Sequence, residues 1–323
     1  RPPMGWNSWN KFFCGINESL IKGVADAMSS NGMKEAGYEF VTVDDCWQIG
    51  READGTIKTD PMQFPSGIKG LADYVHSKGL KFGIYSDRGT QTCAGRPGSQ
   101  AYEAIDAKTY AGWGVDYLKY DNCNAELDQA TQYKTMQSAL ESSGRPIVFS
   151  ICAWAFDEYM PTTGHLWRTT GDIRDTWDSM LGNLDGNQPY AAYAHPGAWN
   201  DPDMLEVGNG GMSEAVSRAH FSLWAMAAAP LIAGNDVRSM TGPVHDILTN
   251  REVIAVDQDV WGYHGYRVQS DEAHEVWVRP LAGTGQRAVL LFNRSGSTAE
   301  LSAKWSELGL APGKASVRDL WQH

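Results

Sequence analysis

Basic residues are scarce in this sequence: 27 Lys and Arg stand against 39 Asp and Glu in 323 residues, a formal net charge of −12. A surface of that sign repels phosphate backbones and anionic lipid, so neither a nucleic acid nor a membrane surface is expected as a partner. Long apolar runs are missing as well. The longest, residues 221–234, contains Ser222 and Pro230 and is too short to span a bilayer. The eight His form no His-x-x-x-His pair, so the usual helical zinc spacing is absent and no metal is expected. No glycine-rich phosphate turn follows an early strand candidate, and there is no low-complexity tract or repeat. The five Cys are too few for a disulfide scaffold. The opening Arg1-Pro-Pro-Met4 lacks the regions of a secretory signal, which was either removed or never present.

Aromatics, by contrast, are plentiful at 11%, with 13 Trp, which speaks for a packed fold. Eight short apolar runs recur along the chain, each ending in polar residues. They are Pro3–Trp9, Tyr38–Trp47, Lys81–Asp87, Val115–Asn122, Pro146–Cys152, Leu166–Asp172, Ala198–Leu205 and Pro230–Asn235. Segments of helical character lie between them, such as Ser19–Glu35, Gly67–Lys78, Tyr102–Gly112, Gln129–Glu141 and Ser213–Ala227. Alternating strand and helix implies parallel strands covered on both faces. Eight such units in this length predict an α/β fold, a (β/α)8 TIM barrel over residues 1–265. The gap between the fifth and sixth runs is short for a full helix. After about residue 265 the helices cease. Glu275–Pro280, Arg287–Asn293, Thr298–Trp305 and Ala315–Trp321 read as strands of a small antiparallel β domain over 266–323.

The ends of the runs carry the chemistry. Asp44 and Asp45, Asp121, and Asp201 with Asp203 close three of them, and Arg168 and Asp172 close a fourth. A lone Asp at such a place is often a helix cap. Several strands aiming carboxylates at the C-terminal mouth of one barrel form a constellation, because that face is where barrel active sites are built. Lys119 and Asp121, two apart on a strand, share a face and form either a buried salt bridge or an ammonium that favours the ionised acid. Facing carboxylates without a metal or phosphate motif point to glycoside hydrolysis.

The cysteines fit the same mouth. Cys14 and Cys93 lie in the loops after runs one and three, and Cys46 and Cys123 end runs two and four. Neighbouring loops can therefore pair as Cys14–Cys46 and Cys93–Cys123, each closing a loop worth roughly 3.5–4 kcal/mol in the entropic picture. Cys152 is left over, either an inert buried thiol or part of a substrate wall beside Trp154. The sequons at Asn17 and Asn293 are candidate glycosylation sites that point to a secreted glycoprotein.

Six motifs taken together resemble glycoside hydrolase family 27. These are Met4-Gly-Trp-Asn-Ser-Trp9-Asn, Asp44-Asp45-Cys46-Trp47, Gly83-Ile-Tyr85-Ser-Asp, Tyr117-Leu-Lys119-Tyr-Asp121-Asn-Cys, Trp167-Arg168 with Asp172, and Trp199-Asn-Asp-Pro-Asp203-Met204. That family holds α-galactosidases, α-N-acetylgalactosaminidases and some β-L-arabinopyranosidases. The resemblance implies a secreted or lysosomal, cofactor-free retaining enzyme with Asp121 as nucleophile and Asp172 as acid/base. It implies that Asp44 and Asp45 hold the 4- and 6-hydroxyls of galactose, Lys119 the 3- and 4-hydroxyls, and Arg168 the region of the 2-hydroxyl. Trp9, Tyr85, Asp203 and Met204 become pocket walls and contacts, joined by Cys152 and Trp154. The family's β domain is usually longer than the one here.

Arg168 is expected to bond mainly to sugar hydroxyls, since pointing at Asp172 would depress a proton donor. Asp121 should instead raise Asp172. At the specificity loop, the small Ala153 keeps N-acetylgalactosamine open while the bulky Phe156 argues against it, and a β-L-arabinopyranoside could also bind. The favoured substrates are α-galactosides. Two readings from other classes compete: a Schiff-base lyase using Lys119, disfavoured because Asp121 pushes that lysine's pKa up, and a galactose-binding protein without catalysis.

Overall fold

The eight apolar runs become eight short parallel strands in a computed structural model that describes residues 1–323. They are β1 (Met4–Asn7), β2 (Phe40–Val43), β3 (Lys81–Asp87), β4 (Tyr117–Asp121), β5 (Val148–Ile151), β6 (Leu166–Arg168), β7 (Trp199–Asp201) and β8 (Leu231–Ala233). Each pairs in parallel with its sequence neighbour from β1 to β7, and β8 pairs with β1. The barrel closes beyond the end of β7. There Leu205 donates to the Ile232 carbonyl at 2.8 Å, and its own carbonyl accepts from Gly234. The strands are buried on both faces, which is why they read as unbroken apolar runs.

Side chains fill the barrel in layers drawn from alternate strands. Phe40, Tyr117 and Leu166, from the starts of β2, β4 and β6, form one such cluster with Trp199 and Ala228. The outer helices pack through one face. In α1 (Glu18–Ser30), Ile21, Val24, Ala25 and Met28 turn inward at helical spacing, and Asn17 caps the start by accepting from the Leu20 amide at 2.8 Å. Further helices are α2 (Gly67–Ser77), α3 (Glu103–Trp113), α4 (Gln129–Ser142), α5 (Trp177–Asn187) and α6 (Glu214–Met226). Two local expectations change. The helix foreseen over 19–35 breaks at Gly32, whose φ of 91° starts a separate short helix at Met33. Between β5 and β6 only a 3-10 turn, Met160–Thr162, makes the crossover.

The C-terminal part is an antiparallel sheet of β9 (Tyr266–Ser270), β10 (His274–Pro280) and β11 (Arg287–Asn293). Two expected strands, Thr298–Trp305 and Ala315–Trp321, are not strands. No backbone edge pairs with them, and their apolar residues serve as plugs instead. Leu308, just beyond the first segment, tucks against Val276 and Val278, while Trp321 lies on α6 and donates to Ser222 Oγ at 3.1 Å. β9 had no apolar signature; its place is set by pairing with β10.

Arg279 of β10 joins the two parts. It is fully buried and donates to the Ala225 carbonyl at the end of α6 and to the Asp257 carbonyl. Burial lifts the adjacent Asp257 carboxyl to about 7, with Arg279 the main opposing influence. Removing the guanidinium orphans two main-chain acceptors beside a buried acid. Arg279→Ala should therefore destabilise the protein by about 3 kcal/mol, read as a lower urea midpoint at unchanged slope.

Candidate active site

At the C-terminal mouth of the barrel, one pocket is lined by Trp9, Asn10, Asp44, Asp45, Tyr85, Cys93, Lys119, Asp121, Trp154, Arg168, Asp172, Asp203 and Met204. Every strand end from β1 to β7 contributes directly or through the loop that follows it. β3 and β4 run in register so that Tyr85 pairs with Lys119 and Asp87 with Asp121. Tyr85, Lys119 and Asp121 thus project together. Three residues around the mouth, Cys46, Trp154 and Asp203, hold left-handed backbone at φ 81°, 62° and 84°. Strain of this kind persists only where the surroundings fix it. For Asp203 those fixings are the Trp224 indole of α6, which donates to its carbonyl at 2.8 Å, and Asp201, which accepts from its amide.

On the floor, Asp121 is 6% exposed and accepts from the Tyr85 hydroxyl at 2.8 Å. Burial pushes its carboxyl up, opposed first by Lys119 and then by Tyr85. The sulfur of Cys93 lies 3.4 Å from the same carboxylate oxygen, and being in a disulfide it brings no proton. Lys119 turns to Asp44, at 2.8 Å, rather than to Asp121. Burial alone would lower the lysine's pKa, but Asp44 foremost lifts it well above its ordinary value. A Schiff-base lysine needs the opposite. Asn7 donates to the same Asp44 oxygen at 2.7 Å. Asp45 accepts from the Ala94 and Cys46 amides, at 2.9 and 2.7 Å.

At the rim, the Asp172 side chain is 69% exposed and the Arg168 side chain 3%. Arg168 Nη2 lies 3.1 Å from both Asp172 Oδ1 and Asp203 Oδ2. The guanidinium is therefore clamped between two carboxylates, whereas the sequence suggested that it would leave Asp172 alone. Neighbouring walls desolvate Asp172 and would raise it, but Arg168, then Lys119, carry its carboxyl below the ordinary value. Its exposure leaves solvent to screen that effect.

Both expected disulfides are formed, Cys14–Cys46 with Cα atoms 5.3 Å apart and Cys93–Cys123 with 5.1 Å. The second needs a close approach of two loops. A Cβ on Gly89 would stand 2.1 Å from the Cys123 carbonyl oxygen, so only glycine fits. Cys152, at the end of β5, is 1% exposed, with Arg168 Nη1 3.6 Å from its sulfur; burial first, then the Asp121 carboxylate beside it, raises the thiol well above its ordinary range. Asn10 and Cys93 also line the pocket, although the sequence reading assigned Cys93 only a disulfide role and Asn10 none. Asn10 stood inside a quoted motif; the reach of Cys93 to Asp121 had no sequence signal.

A wider groove at the opposite end of the barrel, lined by Lys81, Asp116, Glu141, Arg145 and His165 among others, has Asp116 already paired. Asp116 binds Arg145 at 2.5 Å and His76 at 2.7 Å.

An acid-lined, aromatic-walled pocket at the mouth of a (β/α)8 barrel, with one buried and one rim carboxyl, defines a glycoside hydrolase. The profile of the family described as "Alpha galactosidase A" matches residues 1–259, and that of the "Alpha galactosidase C-terminal beta sandwich domain" matches 271–323. An α-galactosidase from Oryza sativa subsp. japonica is 54% identical over all of this chain and 79% of its own length. The crystal structure of α-galactosidase I from Mortierella vinacea superposes with a TM-score of 0.94 at 40% identity, covering 99% of this chain and 90% of that one. A Saccharomyces cerevisiae α-galactosidase solved with raffinose gives 0.83 at 34%, covering 90% and 74%. The chain belongs to the α-galactosidase family, glycoside hydrolase family 27.

Proposed function

We infer that this protein is a retaining exo-α-galactosidase that releases terminal α-D-galactose by double displacement. Asp121 attacks the anomeric carbon and forms a glycosyl ester, while Asp172 protonates the departing oxygen. Asp172 then takes a proton from the water that cleaves the ester. The observation that carries the reading is the convergence of Asp121, from the end of β4, and Asp172, from the loop after β6, on one pocket. Retention asks for carboxyls about 5–5.5 Å apart across the bound sugar. Asp44, Asp45 and Lys119 form a fixed polar wall suited to the hydroxyls of galactose, and Trp9, Tyr85, Trp154 and Met204 supply apolar contact.

Residues 1–265 carry this chemistry and 266–323 buttress it. Oligosaccharides of the raffinose kind, as bound to the yeast relative, are the substrate class we assign. The disulfides suit an extracellular site. Of the two sequons, Asn17 is exposed, whereas the Asn293 amide nitrogen is engaged with the Ser297 carbonyl at 2.7 Å, so Asn17 is the better acceptor of a glycan. Phe156 packs with its ring centroid 4.4 Å from those of both Tyr190, stacked, and Tyr193, tilted, a pinned aromatic that disfavours room for an acetamido group. A panel of nitrophenyl α-galactoside, N-acetyl-α-galactosaminide and β-L-arabinopyranoside tests the assignment. Turnover should be largely confined to the first, and hydrolysis of the second alone would overturn the choice of sugar.

The Arg168 clamp gives a pH prediction. Asp172 must carry a proton to act as acid, so its pKa sets the alkaline limb of kcat/KM. Asp203 shares Arg168 with it. Asp203→Asn keeps the shape but removes the carboxylate that shares the same guanidinium nitrogen with Asp172, which lowers the acid's pKa further. The alkaline limb should move to lower pH; a shift upward would contradict the clamp.

A further inference from the structure

Asn10 closes the pocket wall between the loops that follow β1 and β7, and the mechanism above gives it no task. Its amide is held in one orientation. Nδ2 donates to Glu206 Oε1 at 2.6 Å, and Glu206 is 4% exposed, its other oxygen accepting from Asn209 Nδ2. An ionised carboxylate only accepts, so Asn10 turns its NH2 towards Glu206 and its carbonyl Oδ1 away from it, towards the pocket. Burial lifts the Glu206 carboxyl to about 7, opposed by the Asn209 hydrogen bond and aided by Asp175 and Asp203. A proton arriving there has a place to go. Asn209 Oδ1 is buried without a partner, and a rotated Asn209 amide would accept from a protonated Oε2 while Oε1 still accepts from Asn10. The Asn10 oxygen therefore keeps its aim in both charge states.

The mounting is rigid. His220 Nε2 of α6 accepts from the Glu206 amide at 3.1 Å, and the side chain of Asn10 passes so close to Gly234 that a Cβ there would meet it at 3.1 Å. Glu206 lies three residues beyond Asp203, the partner of Arg168 beside Asp172. Asn10 is thus tied to the side of the mouth that holds the acid, where a leaving group departs.

We propose that Asn10, oriented by Glu206, accepts a hydrogen bond from a hydroxyl of the leaving-group sugar and so favours oligosaccharides over aryl galactosides. Glu206 is a positioning residue in this arrangement. The proposal rests on the α-galactosidase reading above, and the test separates the two. Melibiose and nitrophenyl α-galactoside share the galactosyl unit, but only the first has hydroxyls on its leaving group. Asn10→Ala should lower kcat/KM for melibiose about five- to tenfold more than for the aryl substrate, the size of one lost neutral hydrogen bond. Glu206→Gln, which lets the Asn10 amide turn over, should shift the same ratio in the same direction by a smaller factor. Galactose as a competitive inhibitor reports whether each variant keeps a formed site. An equal loss on both substrates with galactose still binding, or an unchanged ratio in both variants, overturns the proposal. A wild-type protein inert towards both substrates would overturn the α-galactosidase reading itself.

Discussion

Asp121→Asn should lower kcat on every α-galactoside by a factor on the order of 10^4 or more, while galactose still binds. The substitution is close to isosteric, and the asparagine oxygen can go on accepting from the Tyr85 hydroxyl that sits 2.8 Å from the carboxylate. The fold and the polar wall of Asp44, Asp45 and Lys119 therefore survive. What disappears is the only buried anion placed to form an ester. The loss should not depend on the leaving group, because every substrate passes through the same intermediate. Cutting the side chain back with Asp121→Ala and adding azide should yield a galactosyl azide of inverted configuration, since a small anion then attacks from the vacated position. A variant with near wild-type turnover would remove Asp121 from the nucleophile role. Loss of galactose binding together with activity would mean that the carboxylate holds the pocket together instead.

Asp172→Ala is expected to separate substrates by their need for a proton. With melibiose, kcat/KM should fall by about 10^3, within the range of general acid catalysis. With a dinitrophenyl galactoside, whose leaving group departs as a stable anion, the fall should be far smaller. The second step also loses its base, so the ester should accumulate and release of the dinitrophenol should begin with a burst. Burial raises Asp121, and Arg168 and Lys119 hold Asp172 low against the pull of its walls. That bias runs against the charge states that the first step uses. Arg168 and Lys119 both act on Asp172, so the two acids titrate in a shared field. An equal loss on both substrates in Asp172→Ala would assign the proton to another group.

The barrel was legible because its strands are covered on both sides: Phe40–Val43 or Tyr117–Asp121 must be apolar whatever their neighbours are. The antiparallel sheet was legible only in part. Tyr266–Ser270 is a strand because β10 offers it a partner, and Thr298–Trp305 is not one because nothing does. Strand pairing is a property of two segments, and no single segment carries it. The site divides along the same line. The acids at the strand ends could be picked out singly, since an apolar run ending in Asp is costly unless that acid has work or a partner.

The residues themselves thus determined which carboxylates and cysteines would meet at the mouth of the barrel, because strand period and strand order leave them nowhere else to go. Only the folded molecule decided how they share their protons and charges. Lys119 turned to Asp44 and away from Asp121, Arg168 came to lie between Asp172 and Asp203, Cys152 was buried against Asp121, and Asn10 was fixed by Glu206. Those choices depend on distances of about 3 Å between atoms far apart in sequence, and Coulomb and hydrogen-bond energies at that range are set by position alone.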